Sequence, residues 1–235
     1  MRSGVMNDFF REVRGDWRGG RALLQFLYYW KWKRSLKVGA SSIGDRMPWI
    51  SYDAIKVLDK CLTKKSTVFE FGAGGSTLFF LDRVARVYSV EHNPEWIMLL
   101  NKVVSAEEAE RWCAFLCEPT SDGICSTPAH PEGYLSDDEM YVGKSFREYA
   151  TAIERVGVSG FDAVLVDGRA RPSCIMHSLD KVKPGGLLVV DNAERDYYLQ
   201  NTAEPISRLY EPVLQTMGAI AYNRTFTKTS IWRRL

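Results

Sequence analysis

Val68-Phe69-Glu70-Phe71-Gly72-Ala73-Gly74-Gly75-Ser76-Thr77 is the stretch on which the fold turns. A short apolar run, carrying one acid, stops at a glycine-rich bend, and Ser76 and Thr77 then open a helix bearing Leu78, Phe79 and Leu81. Strand, glycine turn and helix in that order begin a βαβ unit, so the pattern predicts a strand over Thr67–Phe71.

Downstream, the alternation continues. A strand over Arg86–Val90 ends in Glu91, and Pro94 sits at the start of a helix running to about Ala109. Trp112–Cys117 reads as a third strand, and Glu118–Gly143 as a long functional loop rich in Pro, Gly, Ser and Asp. A helix over Lys144–Arg155 precedes a strand over Phe161–Val166, which ends in Asp167-Gly168. A helix over Arg171–Lys183, closed by Pro184-Gly185-Gly186, precedes a buried strand, Leu187–Val190, ending in Asp191-Asn192. Glu204–Gln215 is weakly helical, and Ala219–Tyr222 and Thr225–Trp232 read as two strands joined around Asn223-Arg224.

Upstream, Ser51 caps a helix with Ala54, Ile55, Leu58 and Leu62 on one face. Gly39–Pro48 reads as a linker, and a helix over Ala22–Lys37 presents Leu23, Phe26, Leu27 and Trp30. The whole predicts a doubly wound α/β domain over 46–235, with a mostly parallel seven-stranded sheet and an antiparallel edge strand. Residues 1–45 form a basic, aromatic-rich helical extension.

Composition sets the outer limits. The chain has 235 residues, 46% of them hydrophobic and 26% charged, which suffices to bury a core and excludes intrinsic disorder. The most apolar run, Ala22–Trp32, is interrupted by Gln25 and Lys31 and is too short to span a bilayer. Asp8, Glu12 and Asp16 fit neither a secretory signal nor a transit peptide, so a cytoplasmic protein is expected. Five cysteines (Cys61, Cys113, Cys117, Cys125 and Cys174) lack the paired spacing of a disulfide framework or zinc site, and reduced thiols are expected.

The net charge of +2 is unevenly spread: residues 1–40 hold nine Lys or Arg against three Asp or Glu, leaving the remainder acidic by four. The body is therefore not expected to bind nucleic acid. The basic arm could lie in a membrane interface, pack on the core, form a lid or make a homodimer, and packing is the expected role.

In an open α/β sheet ligands bind outside the carboxyl ends of the strands. Four such ends carry polar or glycine-rich residues here: Glu70 to Thr77, Glu91-His92, Asp167-Gly168-Arg169 and Asp191-Asn192. A dinucleotide turn wants glycine where Thr77 stands, and a carboxylate at Glu70, entering the crevice, would repel a pyrophosphate. A cationic donor such as S-adenosylmethionine suits that turn better. Glu91 follows about twenty residues later, the interval at which an acid reaches a ribose diol.

These segments resemble a known family. Val68 to Thr77 and Val87-Tyr88-Ser89-Val90-Glu91-His92 look like the first two motifs of class I S-adenosylmethionine-dependent methyltransferases. Phe161 to Gly168, and Lys183-Pro184-Gly185-Gly186 through Asp191-Asn192, are similar to the motifs of the fourth and fifth strands. The resemblance implies a Rossmann-like methyltransferase fold and S-adenosylmethionine as cofactor. It implies a binding set of Glu70, Gly72, Ala73, Gly74, Gly75, Ser76, Thr77, Glu91, His92 and Asp167, with Glu118 a candidate on the adenine side.

Asp167, Asp191 and Asn192 fall where catechol- and caffeoyl-type O-methyltransferases bind magnesium, so Mg2+ is a candidate cofactor. The sequence departs from those families in offering Arg169 and Arg171 in place of a lysine, and arginine cannot serve as base. Asp167 and His130 are the candidate catalytic residues; His177 falls off the apolar face of its helix and is expected on the surface. Arg169, Arg171 and Arg195 could clamp an anionic acceptor.

The expected activity is O-methylation of a small-molecule or glycan-type acceptor, since an Asp/Asn-Pro-Pro-aromatic segment of nucleic-acid amino-methyltransferases is missing after the fourth strand. An NAD-dependent oxidoreductase, or a non-catalytic binding protein retaining the fold, are the alternatives.

Overall fold

The computed structural model describes residues 2–15, 22–122 and 126–235. In chain order the regular elements are α1 (Arg2–Gly15), α2 (Ala22–Gln25), α3 (Tyr29–Ser35), α4 (Tyr52–Cys61), β1 (Thr67–Phe71), α5 (Gly75–Leu81), β2 (Arg86–Glu91), α6 (Pro94–Asn101), α7 (Ala106–Ala109) and β3 (Trp112–Leu116). There follow α8 (Arg147–Ala150), β4 (Phe161–Val166), α9 (Arg171–Ser178), β5 (Val182–Val190), α10 (Ala203–Leu209), β6 (Tyr210–Gly218) and β7 (Thr227–Arg234).

The strands make one seven-stranded sheet in the order β3-β2-β1-β4-β5-β7-β6. The first five are parallel, and β7 runs antiparallel to both β5 and β6. Parallel strands need both faces covered, and they alternate accordingly. Phe69, Phe71, Val90, Val164, Val166, Leu188 and Val190 pack on one side with Phe146, Tyr149 and Ile175. Val68, Val87, Ala163, Leu165, Leu187 and Val189 pack on the other with Leu58, Phe79 and Phe80. Strand order reverses between β1 and β4, which opens a crevice above their carboxyl ends.

Several boundaries differ from the sequence expectation, each for a local reason. The helix expected over Pro94–Ala109 stops at Asn101 and restarts as α7, where Ser105 and Glu108 form a reciprocal capping box. The helix expected over Lys144–Arg155 is a short α8 followed by a 3-10 segment, Thr151–Arg155. The helix expected to reach Lys183 ends at Ser178, and Lys183-Pro184-Gly185-Gly186 lies within β5. The register there jumps between the Phe161–Val182 and Ala163–Leu187 pairs, so Pro184 sits in a bulge where no ladder donor is needed.

The carboxyl-terminal third changes most. The weak helix over Glu204–Gln215 is confined to α10, and Tyr210–Gly218 is the edge strand β6, with Pro212 tolerated at a register shift. Ala219–Tyr222 forms no strand; Tyr222 takes φ +64°, and the chain turns before β7.

The helix expected over Ala22–Lys37 is broken by a 3-10 turn, Phe26–Tyr28. Just before it, Gln25 is fully buried, its amide oxygen accepting from Ala219 N–H (2.9 Å) and its Nε2 donating to Asp53 (2.7 Å). The arm packs on the domain: Phe9, Val13 and Trp32 form one core with Tyr52, Ala219, Ala221 and Phe226. Trp32 Nε1 donates to Asn223 O at 2.7 Å. No helix among the described residues is long and apolar enough to cross a membrane. Cys61 and Cys113 are exposed and Cys117 and Cys174 buried, all as free thiols; Cys125 lies outside the described residues.

Candidate active site

A cavity of about 740 Å³ opens over the carboxyl ends of β1, β2, β4 and β5. Gly72 to Ser76, Glu91, His92, Asp167, Asp191 and Asn192 all line it, so the four polar strand ends converge.

At one end stands the glycine turn. Gly72 takes φ +96°, and a Cβ there would press on Asp167 O (3.2 Å) and Gly168 Cα (3.3 Å), so both conformation and the approach of β4 require glycine. Gly75 is covered by the backbone carbonyls of Ser42 and Met47, which a Cβ would strike. The linker thus closes over the start of α5. Glu91, on β2, accepts from Ala73 N–H (3.0 Å), His92 N–H (2.8 Å) and Asn93 N–H (2.8 Å). Burial alone would raise its pKa; the His92 and Asn93 contacts outweigh that and hold the carboxyl below its ordinary range. Trp96 Nε1 donates to Ala73 O and its ring covers Gly74.

Glu70 departs from expectation. It is fully buried beneath the turn rather than facing the cavity. Its Oε1 accepts from Thr77 Oγ1 and from Ser89 Oγ (2.6 Å), while Thr77 Oγ1 in turn accepts from Gly74 N–H (3.0 Å) and Trp112 Nε1 donates to Ser89 Oγ (2.9 Å). Burial pushes its pKa up to about 7. Glu70 and Thr77 therefore shape the turn from below, and the repulsion of a pyrophosphate cannot come from Glu70. The turn itself supplies another reason. The Ala73 and Gly74 amides, which would cradle a phosphate, are already given to Glu91 and Thr77.

The centre of the cavity is organised by Arg171. Its buried guanidinium donates to Asp167 Oδ1 (3.1 Å), Asn192 Oδ1 (3.1 Å) and Asp191 O, its Nε donates to Gly168 O (3.0 Å), and it stacks on Tyr198. Burial works against its charge, and Asp167, first among its neighbours, more than restores it. Asp191 accepts instead from Thr229 Oγ1 at 2.6 Å. Burial raises both Asp167 and Asp191 above the ordinary carboxylate range.

These residues do not fit Mg2+. Two of the three expected donors are committed to a guanidinium that already carries the compensating charge, and the third is turned to Thr229. Among the described residues no group of three His, Cys, Asp or Glu side chains is placed to hold a metal.

The far end is lined by Met140, Tyr141, Arg169, Glu194, Arg195, Asn223, and by Thr225 to Thr227. Arg169 and Arg195 do face the cavity, but each is paired, with Asp138 at 2.8 Å and Asp137 at 2.9 Å. None of the three arginines stands as a bare anion clamp. The arm braces this wall: Glu12 accepts from Phe226 N–H (2.9 Å) and Ser35 Oγ accepts from Tyr222 N–H (3.0 Å).

Three candidates lie elsewhere. His130 is exposed in its loop and does not line the cavity, so it is not placed to act as base there. Glu118 is also exposed and off the cavity; on that side His92 Nε2 meets Tyr141 OH at 3.0 Å. His177 is half-buried rather than superficial, tied to Glu154 (2.7 Å) and Tyr134 OH (3.2 Å). Trp96, Tyr141 and Ser42 line the cavity and were not singled out by the sequence; an aromatic one turn into the helix after Glu91 was the available signal for Trp96.

No protein-family model and no curated protein sequence matches the chain. Solved structures do match. A candidate methyltransferase from Streptococcus mutans in complex with SAH is 12% identical, with a TM-score of 0.54 over 77% of this chain and 96% of that one. An rRNA methylase from Streptococcus thermophilus is 16% identical, with a TM-score of 0.53 over 78% and 95% of the two chains. A candidate O-methyltransferase from Klebsiella pneumoniae is 14% identical, with a TM-score of 0.53 over 97% and 89%, a span that reaches into the arm. At such identities the likeness is one of fold.

Proposed function

We propose that this chain, whose fold is that of class I S-adenosylmethionine-dependent methyltransferases, binds S-adenosylmethionine in this cavity and methylates an oxygen of a small-molecule or glycan-type acceptor. The observation that carries the reading is the convergence on one cavity of the glycine turn, Glu91 and the Asp167–Arg171 pair.

In this reading the turn from Gly72 to Ser76 receives the amino-acid part of the cofactor, and Glu91, held ionised by three N–H donors, accepts from the ribose hydroxyls. His92 and Tyr141 flank the adenine side. When bound, the cofactor supplies a methyl group on a positively charged sulfur, already activated for transfer. What the protein must add is alignment and a place for one proton.

Asp167 serves as that place. It faces the cavity, its raised pKa suits an acid–base group, and Arg171 fixes its orientation. With the cofactor bound, the Asp167 carboxylate would take the acceptor O–H proton while the cofactor would supply the methyl group from its sulfonium, itself becoming a neutral thioether. Because Arg171 already supplies the cation, no metal is invoked.

A neutral hydroxyl acceptor is favoured over RNA because Arg169, Arg171 and Arg195 are each matched by an aspartate, leaving no unpaired basic track among them.

Calorimetry with S-adenosylhomocysteine and with NADH tests the cofactor: binding of the first and not the second is expected, and the reverse would assign the cavity to an oxidoreductase. A screen of hydroxyl acceptors with labelled methyl donor in the presence of chelator tests the rest. Transfer undiminished by chelator is expected; transfer restored only by Mg2+ would overturn the role given to Arg171.

A further inference from the structure

The arm has two apolar faces, and the domain covers only one. Its inner face, with Phe9, Val13, Gln25 and Trp32, is buried against Tyr52 and the 219–226 segment. Its outer face carries Leu23, Leu27 and Trp30, which are 68%, 70% and 72% exposed. Leu23 lies on α2, Leu27 in the 3-10 turn and Trp30 on α3, and all three point away from the domain. Leu24 and Phe26 flank this row, and Phe26 meets Phe10 of α1 with ring centroids 5.5 Å apart. Phe10 and Met6 are exposed as well, so the two segments present one continuous apolar surface. A helix packed on a soluble domain ordinarily turns polar residues outward.

The rim of this surface is basic. Arg11, Arg14, Lys31, Arg34 and Lys37 are exposed, and Lys33 lies over the Trp30 ring at 5.1 Å. Of the described acids of the arm, Asp8 pairs with Arg11 and Arg224, and Glu12 pairs with Arg11 and accepts from Phe226 N–H. Exposed leucines and a tryptophan are ringed by bases, of which Arg14, Lys31, Arg34 and Lys37 have no acidic partner among the described residues, and this matches the layering of a bilayer surface, with acyl chains beneath and anionic headgroups at the rim.

We propose that the outer face of the arm docks this protein on membrane surfaces that contain anionic lipid. Insertion of Leu23, Leu27 and Trp30 supplies the apolar contact, while Arg11, Arg14, Lys31, Arg34 and Lys37 meet the headgroups. A second copy of the chain is the weaker occupant, because a two-fold contact through this face would set the bases of one arm against those of the other. The inference is independent of what the cavity binds.

Vesicle flotation tests it, with phosphatidylcholine vesicles containing or lacking phosphatidylserine. Wild type is expected to float with the anionic vesicles, to stay behind with the neutral ones, and to be released by high salt. The combined variant Leu23→Ser, Leu27→Ser and Trp30→Ser should lower partitioning by about tenfold or more. The variant Lys31→Glu, Arg34→Glu and Lys37→Glu should do the same. None of these side chains belongs to the inner face, so melting temperature and S-adenosylhomocysteine affinity should match wild type in both, which separates lost docking from lost folding.

Wild type that ignores both vesicle types, or floats equally on both, would overturn the proposal. So would a serine variant that floats as wild type does. Sedimentation that shows a dimer dissolved by the serine variant, without vesicle binding, would assign the face to a second copy.

Discussion

At the glycine-turn end of the cavity, the side-chain hydrogen bonds that shape the site join residues 3 to 23 positions apart: Gly74 to Thr77, Thr77 to Glu70, Ala73 to Glu91, Ser89 to Glu70, and Trp96 to Ala73. At the far end, those between the arm and the 219–226 segment join residues 177 to 216 positions apart, among them Tyr222 to Ser35, Trp32 to Asn223, Ala219 to Gln25, and Phe226 to Glu12. One end is made by a single strand–turn–helix and its neighbour strand. The other exists only because an arm from the start of the chain is laid against a loop near its finish. A cofactor common to many enzymes needs the first kind of site, since its geometry must be reproduced from local chemistry. An acceptor peculiar to one enzyme can be served by the second, whose wall is free to vary.

The contrast breaks most readily at Trp32. This side chain is fully buried, and Trp32→Ala should cost roughly 3–5 kcal/mol of stability from the cavity it leaves. Thermal melts would read that loss. At a temperature where the variant stays folded, acceptor KM should rise while S-adenosylhomocysteine affinity holds; parallel loss of both would show that the two ends are one unit.

Glu91→Ala attacks the other end. Removing a carboxylate that orders the turn and, in the proposed reading, faces the ribose should weaken S-adenosylhomocysteine binding about 100-fold, or roughly 3 kcal/mol, with acceptor KM little changed. Calorimetry against wild type decides it, and an affinity within a few-fold would remove Glu91 from the binding set.

Arg171→Lys probes the junction. Lysine keeps the charge but loses the fork that reaches Asp167, Asn192 and the Asp191 carbonyl together. A fall in kcat of about tenfold is expected, roughly 1.4 kcal/mol. Arg171 lowers the pKa of Asp167 against the effect of burial, so a looser contact should also move the acid limb of the pH–rate profile upward. An unmoved limb would detach Asp167 from the proton transfer.

The smallest effect is at Glu70. Its pKa in the folded chain is about 7, above the unfolded 4.5, so the folded state holds the extra proton between those values. Stability from this group is therefore full below about pH 4.5 and declines as pH rises toward 7. Glu70→Gln keeps an acceptor for Thr77 and Ser89 and should be more stable than wild type at pH 8 by on the order of 1 kcal/mol, an advantage that shrinks toward pH 5. Melts across that range would read the difference, and a constant offset would mean that Glu70 stays ionised.

What was legible and what was not follows the same division. Gly72, Glu91, Asp167 and Asp191-Asn192 were found at strand ends because polar residues after apolar runs stand out at short range, and the structure brings them to one cavity. Glu70 was rightly placed on the strand but on the wrong side of the turn, since residue spacing alone does not say whether a carboxylate lies above or beneath a bend. The sequence reads Arg171 as an acceptor clamp, whereas its guanidinium is held by Asp167 and Gly168 just before it and by Asp191 and Asn192 at the end of the next strand. Tyr210–Gln215 reads as part of the weak helix Glu204–Gln215 because pairing with β7, not its own periodicity, makes Tyr210–Gly218 a strand.

By itself the sequence determined the order of strands and helices from β1 to β5, the glycine turn, and the acids that close β2, β4 and β5. Each is dictated by backbone sterics or by burial of a contiguous run, and both act over a few residues. Only the tertiary structure decided that a guanidinium takes the place expected for a metal, that His130 stands clear of the cavity, and that the arm braces one wall while leaving an apolar face outward. Those outcomes depend on which distant surfaces meet, and no local pattern of residues encodes the meeting.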